Sequence, residues 1–291
     1  MIPVTMREYV LGCAAVAVLV LSMGAHTPVS PPFFFLQFTD TQFGMFTADK
    51  EFAQETANFE LAIATANRLR PAFVVVTGDL VNKPGDAAQM AEYGRIARRL
   101  DPAIRLYNLA GNHDLGNAPT PASVAAYVRA FGRDYYSFRC QDLFGIVLDS
   151  SLMYAPDGAP DLLAAQDTWL AAELDRARAS GAKHIIVFQH HPMFLKDAAE
   201  PDDYFNIPLA RRRAYLDLFR SAGVNAVMSG HYHRNALARD GDMQVITTGP
   251  VGMPLGEGTQ SGIRVVIVRD TGISHRYYAL GELPSKIDLS K

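Results

Sequence analysis

Residues 33–44 read FFFLQFTDTQFG, an apolar run that ends in an acid, a threonine and an amide. Side chains two apart on a strand face the same way, so Asp40 and Gln42 share a face where a buried strand stops. Such a pair either closes a turn or supplies half of a metal cage. The arrangement recurs along the chain. Phe73–Thr77, FVVVT, is followed by Gly78-Asp79, and IRLYNLA by Gly111-Asn112-His113-Asp114. HIIVFQ is followed by His190-His191-Pro192, and NAVMS by Gly230-His231-Tyr232-His233. Five apolar runs thus each deliver carboxylate, amide or imidazole groups. Unrelated turns would not place N and O donors after every one.

The runs alternate with helical patterns. Helices are expected over Glu51–Arg70 (with Phe52, Ala57, Leu61 and Ala64 on its packed side), Ala87–Leu100, Asp161–Ala179 and Ala210–Ser221. Strands are expected at Phe33–Phe38, Phe73–Thr77, Ile104–Leu109, Tyr135–Phe138, Phe144–Leu148, His184–Phe188 and Ala226–Met228. Three more, Met243–Thr247, Arg264–Val268 and Ser274–Ala279, follow one another between Gly-rich turns. Strands alternating with helices, then a run of strands, imply an α/β fold of packed sheets with helices outside. One domain over 33–283 is expected, preceded by a Pro-rich segment at 26–32 and followed by a short tail at 284–291.

Of the 291 residues, 49% are hydrophobic, enough for one large core. A net charge of -3 provides no general basic field, which argues against a nucleic-acid binder. Tyr9–Met23 is almost wholly apolar, and Ser22, Gly24 and Ala25 offer a cleavage point. That run is short of the ~20 residues of a membrane span and suits a signal peptide. Residues 1–25 are therefore expected to direct export, periplasmic or secreted, with an uncleaved membrane anchor as the alternative. Without them Cys140 is the sole cysteine. No intramolecular disulfide can then form, and Cys140 reads as a small hydrophobe.

Taken singly, each donor group has a structural reading. Asp40 and Asp79 could cap turns, and a His-His-Pro could be a packed loop. Taken together, they give about seven O and N donors and no thiolate. That set suits divalent Mn, Fe, Zn or Co and exceeds what one tetrahedral zinc needs, which points to two metals sharing a carboxylate.

The order Asp-x-Gln, Gly-Asp, Gly-Asn-His-Asp, His, Gly-His-x-His resembles the calcineurin-like metallophosphoesterase family over about Phe33–Leu283. The segments DTQFG, DDYFNI, SGHYHRN, GIRVVIV and HRYYAL are closest to its calcineurin-like phosphoesterase domain-containing subgroup, described as serine/threonine phosphatases. The resemblance implies a four-layer sandwich of two mixed β-sheets flanked by helices. It also implies a hydrolase that attacks phosphate monoesters with a metal-bridging hydroxide. By the same resemblance Asp40, Gln42, Asp79 and His233 would hold one metal, and Asp79, Asn112, His190 and His231 the other. Asp79 would bridge, and His191 would support. Gln42 stands where many relatives carry histidine.

His113 resembles the family's acid histidine. Relatives often pair that histidine with a carboxylate three residues after the bridging aspartate, where this chain has Asn82; its amide could orient the ring. Asp114 could compensate or simply fix the local turn. Arg234 could touch a phosphate oxygen or pair at the surface. Arg211–Arg213 read as a solvated helix face. The long connection 193–208 reads as a pocket-shaping loop, with Phe194, Tyr204 and Phe205 as candidates for substrate shape, and Trp169 as a helix anchor. A phosphorylated small ester or phosphoprotein is the expected partner. A phosphodiesterase acting on cyclic nucleotides or lipid head groups is the alternative enzyme, and a non-catalytic metal or phosphate binder the alternative class.

Overall fold

The computed structural model describes residues 31–290; the expected export segment lies outside them. The chain begins β1 (Phe33–Phe38), α1 (Ala53–Leu69), β2 (Phe73–Thr77), α2 (Ala87–Ala97), β3 (Arg105–Leu109), α3 (Asn112–Leu115) and α4 (Pro121–Phe131). It continues β4 (Tyr136–Cys140), β5 (Leu143–Val147), α5 (Ser150–Tyr154), α6 (Pro160–Ala179), β6 (His184–Phe188) and α7 (Leu209–Ala222). It ends β7 (Ala226–Ser229), β8 (Ala236–Asp240), β9 (Met243–Thr247), β10 (Gly262–Arg269) and β11 (Gly272–Ala279).

Two mixed sheets result, ordered β11-β10-β1-β2-β3 and β4-β5-β6-β7-β9-β8. The central strands β1, β2, β5, β6 and β7 are buried at every position because each sheet is covered on both faces. In β1, Phe33 and Phe35 face the opposite sheet while Phe34, Leu36 and Phe38 face helices. In β6, Ile186 and Phe188 face the opposite sheet while Ile185 and Val187 pack toward α6 and α7. The layers are therefore helix, sheet, sheet, helix, as the resemblance implies. Phe35 fixes the middle of the sandwich, stacked on Phe73 at 4.5 Å and meeting Phe188 of the other sheet edge-on at 5.8 Å.

Several local expectations are corrected. In α1, Ala57, Leu61 and Ala64 face solvent, and the buried stripe is Asn58, Phe59, Ala62, Ile63 and Ala66. Phe59 decides the rotation of the helix, since it meets both Phe38 and Tyr93. Arg212 is fully buried, and its guanidinium donates to the carbonyls of Ile207, Ala198 and Glu200. Arg211–Arg213 is thus not a uniformly solvated face. Phe194 lies in the core behind the second sheet and cannot shape a substrate. Trp169 packs against that core and Tyr135. Cys140 is half-buried at the edge of the sandwich. Among the described residues no helix is long and apolar enough to cross a membrane.

Candidate metal centre

Strands β1, β2 and β3 run parallel in one sheet, and β5, β6, β7 and β9 in the other. Parallel strands end on the same edge, so their following loops gather there. The two edges are tied just below the loops by Gln37. Its amide donates to Thr77 Oγ1 and the Ser229 carbonyl, both at 3.0 Å, and accepts from Thr248 Oγ1 at 2.7 Å.

At this edge the backbone is bent to present side chains. Asp40, Gln42, Asp79, His231 and His233 all have positive φ, from 26° to 68°. Left-handed backbone costs non-glycine residues on the order of 1–3 kcal/mol and concentrates at functional sites. Adjacent glycines make room. A Cβ on Gly78, at φ +89°, would sit 2.5 Å from His190 Nδ1, and one on Gly230 would sit 2.6 Å from Asp40 Oδ2.

The donors then converge. Asp79, His190 and His231 bring ligand atoms within 4.8 Å of one another, and so do Asp40, Asp79 and His233. Asp79 belongs to both groups, the position of a bridge. His190 Nδ1 donates to the Thr77 carbonyl, which turns Nε2 toward Asp79 Oδ2 at 3.2 Å and Asn112 Oδ1 at 3.0 Å. His233 Nδ1 donates to the Met253 carbonyl, leaving Nε2 3.5 Å from Asp40 Oδ1. His231 Nε2 donates to the Tyr204 carbonyl, which leaves Nδ1 for a ligand role. Each carbonyl fixes a tautomer, as supporting groups around metal-binding histidines do.

The electrostatics match a cation site. Burial opposes the charge on Asp79, but His190, His113 and His231 outweigh it and hold its carboxyl well below the usual range. Burial raises Asp40. His190 is held up to about 9: burial opposes its charge, and Asp79 more than offsets this. His231 is pushed down to about 3 by burial and by His190, so its ring is neutral.

Gln42 is 1% exposed, and among the described residues neither its amide nitrogen nor its amide oxygen has a partner. A buried amide without partners costs ~1–3 kcal/mol. A metal beside Asp40 and His233 would satisfy the oxygen, so the residues present fit two divalent cations.

His113 is half-buried at the rim. Its backbone N–H donates to Asp79 Oδ1, and its Nδ1 meets the Asn82 carbonyl at 2.8 Å. The expected amide contact from Asn82 is corrected. Its side chain instead donates to Asp49 Oδ1 at 2.7 Å, and Gln89 Nε2 donates to the same oxygen at 2.8 Å. Asp49 and Gln89 thus brace the loop carrying the carbonyl, and no motif marks either of them. Asp114 accepts from the N–H groups of Leu80, Val81 and Gly111. It ties together the loops that present Asp79 and Asn112, and it does not contact His113 as a catalytic partner. Arg234 donates through Nε to the Leu255 carbonyl and lies 5.5 Å over the Tyr232 ring. With Lys196 and Phe205 it lines a cavity of about 390 Å³ next to the centre. His191 stacks on Tyr154 and lies 4.4 Å from the His231 ring, supporting it from behind.

The Calcineurin-like phosphoesterase family profile matches residues 35–235. A Bos taurus relative named Serine/threonine-protein phosphatase CPPED1 is 39% identical over 88% of this chain and 86% of its own length. The Danio rerio protein of that name is 37% identical over 88% of each. Among solved structures, a dimetal phosphatase from Danio rerio superposes with a TM-score of 0.58 at 15% identity, over 86% of this chain and 100% of that one. A purple acid phosphatase from yellow lupin seeds gives 0.66 at 14% identity, over 88% of this chain and 52% of that one. These two share the fold.

Proposed function

This chain belongs to the calcineurin-like phosphoesterase family, and on that premise we propose that it hydrolyses phosphate monoesters, including phosphoserine and phosphothreonine in peptides or proteins. One observation carries the reading: two buried donor groups share Asp79, with the His113 ring at their rim.

Asp40, Gln42, Asp79 and His233 would hold one cation, and Asp79, Asn112, His190 and His231 the other. Mn, Fe, Zn and Co all suit this donor set. When bound, such cations neutralise phosphoryl charge and acidify the attacking water. The chain's own residues supply the rest. The Asn82 carbonyl fixes the proton of His113 on Nδ1, so the opposite nitrogen, when protonated, can deliver a proton to the departing alkoxide. Such proton transfer contributes typically ~10²–10⁴-fold. A non-catalytic binder has no use for that imidazole. Arg234, on the cavity wall, is placed to meet the organic part or a phosphate oxygen of the substrate.

The test is turnover of p-nitrophenyl phosphate and bis-p-nitrophenyl phosphate with Mn²⁺ added, together with metal analysis. Monoester preference supports the reading, diester preference replaces it with a phosphodiesterase, and inactivity with every metal leaves a binder. We further propose that residues 1–25 direct export. Amino-terminal sequencing of the protein recovered outside the cytoplasm tests this, and an intact residue 1 would favour the anchor.

A further inference from the structure

Tyr204, on the connection between β6 and α7, touches two of the seven donors. Its carbonyl accepts from His231 Nε2 at 2.9 Å, and its hydroxyl oxygen accepts from Asn112 Nδ2 at 3.0 Å. A phenol that accepts still carries its own proton. Among the described residues nothing accepts that proton, and Tyr204 is 44% exposed at the edge of the centre. The hydroxyl is nonetheless held in place. Asn112 Nδ2 is also anchored by Asn117 Oδ1 at 2.7 Å, and the Tyr204 ring lies 4.8 Å from that of His231. The loop itself is braced from below by buried Arg212. Within the loop, the Glu200 carboxylate accepts from the N–H groups of Leu195, Lys196 and Asp197. A donor fixed before substrate arrives needs little reorganisation during reaction, which is the condition for stabilising charge that develops in a transition state.

We propose that the Tyr204 hydroxyl is a catalytic residue of this hydrolase, donating a hydrogen bond to a non-bridging phosphoryl oxygen as negative charge builds there. The proton stays on tyrosine throughout, so the step adds no acid or base. The proposal rests on the phosphomonoesterase reading for its substrate.

Tyr204→Phe keeps the ring and backbone and removes only the hydroxyl. Three quantities are measured on wild type and variant: kcat and KM for p-nitrophenyl phosphate, orthovanadate affinity of the Mn²⁺-loaded protein, and Mn²⁺ affinity itself. The expected result is a kcat lower by ~10–100-fold, somewhat less than the ~10²–10³ of an oxyanion-hole donor. Vanadate binding should weaken by a similar factor, with Mn²⁺ affinity changed by less than about threefold. Unchanged kcat and vanadate affinity overturn the proposal. So does a parallel loss of Mn²⁺ affinity, which would make Tyr204 a positioning residue acting through Asn112. If the wild type hydrolyses no ester, the functional reading fails separately. The vanadate comparison still decides the role of Tyr204, and equal binding or no binding overturns it.

Discussion

Gln42 shows how much a single position can decide. Among the described residues it has no partner for either amide atom, although it is 1% exposed. Gln42→Ala should therefore weaken binding of one cation at least tenfold, about 1.4 kcal/mol, whereas Gln42→His should keep or tighten it. Titration with Mn²⁺ followed by calorimetry distinguishes them, and equal affinities for wild type and Gln42→Ala would remove Gln42 from the centre. His113 makes the complementary case. His113→Ala should keep both metals and lose ~10²–10³ in kcat for p-nitrophenyl phosphate. Asn82→Ala, which keeps the carbonyl that meets Nδ1, should lose less than about tenfold. A loss at Asn82→Ala as large as at His113→Ala would show that the amide matters directly. The polar clusters after the apolar runs were legible in the sequence, whereas the choice of donors among them and the acid role of His113 were implied by the family resemblance. The route from Asn82 to His113 was not legible, since a sequence names side chains and gives no direction to a carbonyl. Asp49, seven residues beyond Gln42, carried no pattern at all.

Among the elements, the strongly apolar strands were legible and the weakly patterned pieces were not. α4, PASVAAYVRAF, buries only Val124 and Tyr127, so its pattern is faint; it is set by the Thr120 cap and Pro121. β8, ALARD, is an edge strand beside β9, with half-buried and exposed positions alternating and only three apolar residues, one of them the exposed Leu237. In α1 two apolar stripes compete, and only the neighbours of Phe59 decide between them. The burial of Arg212 is hidden for a similar reason: its partners are backbone carbonyls of a loop that precedes it. Arg212→Ala should destabilise the fold by about 3 kcal/mol in urea unfolding by orphaning those carbonyls. It should also raise KM more than it lowers kcat, because the loop loosens; an unchanged midpoint would refute the bracing role. At the start of α5, Asp149 caps Ser151 and Leu152 with one oxygen while the other has no partner among the described residues. Burial, then Asp134, pushes it up to about 7 from 3.8. A folded pKa above the unfolded one contributes stability at acid pH. That contribution is lost as pH rises from about 4 to 7, at roughly 1.4 kcal/mol per unit. Asp149→Asn keeps the capping acceptor and should gain on wild type across that window. Parallel unfolding curves of the two proteins at pH 5 and 7.5 would exclude the titration.

At the scale of the whole molecule, the centre is built where two sheets meet. Asp40, Asp79 and Asn112 arrive from one sheet, His190, His231 and His233 from the other, and neither sheet carries a complete set. The sequence could place every donor at a strand end and imply packed sheets with helices outside, while the four layers were implied by the family resemblance. It could not show the distance between edges, which depends on Gln37 bridging Thr77 and Ser229 in the middle of the sandwich. Cations held between the edges would fasten the sheets together, so metal removal should be felt by the entire fold. A ligand present at 100 times its dissociation constant adds about 2.7 kcal/mol to stability. In a domain of this size that corresponds to a Tm lowered by roughly 5–10 °C once EDTA strips the metal, and restored as Mn²⁺ is added back. Asp79→Asn weakens both positions at once and should make Tm nearly insensitive to EDTA. The comparison is made by calorimetry on both proteins, with and without chelator. A wild type whose Tm ignores EDTA despite measured metal content would mean that the cations sit elsewhere, and the shared carboxylate would lose its role. An Asp79→Asn variant that responds to EDTA as fully as the wild type would point the same way.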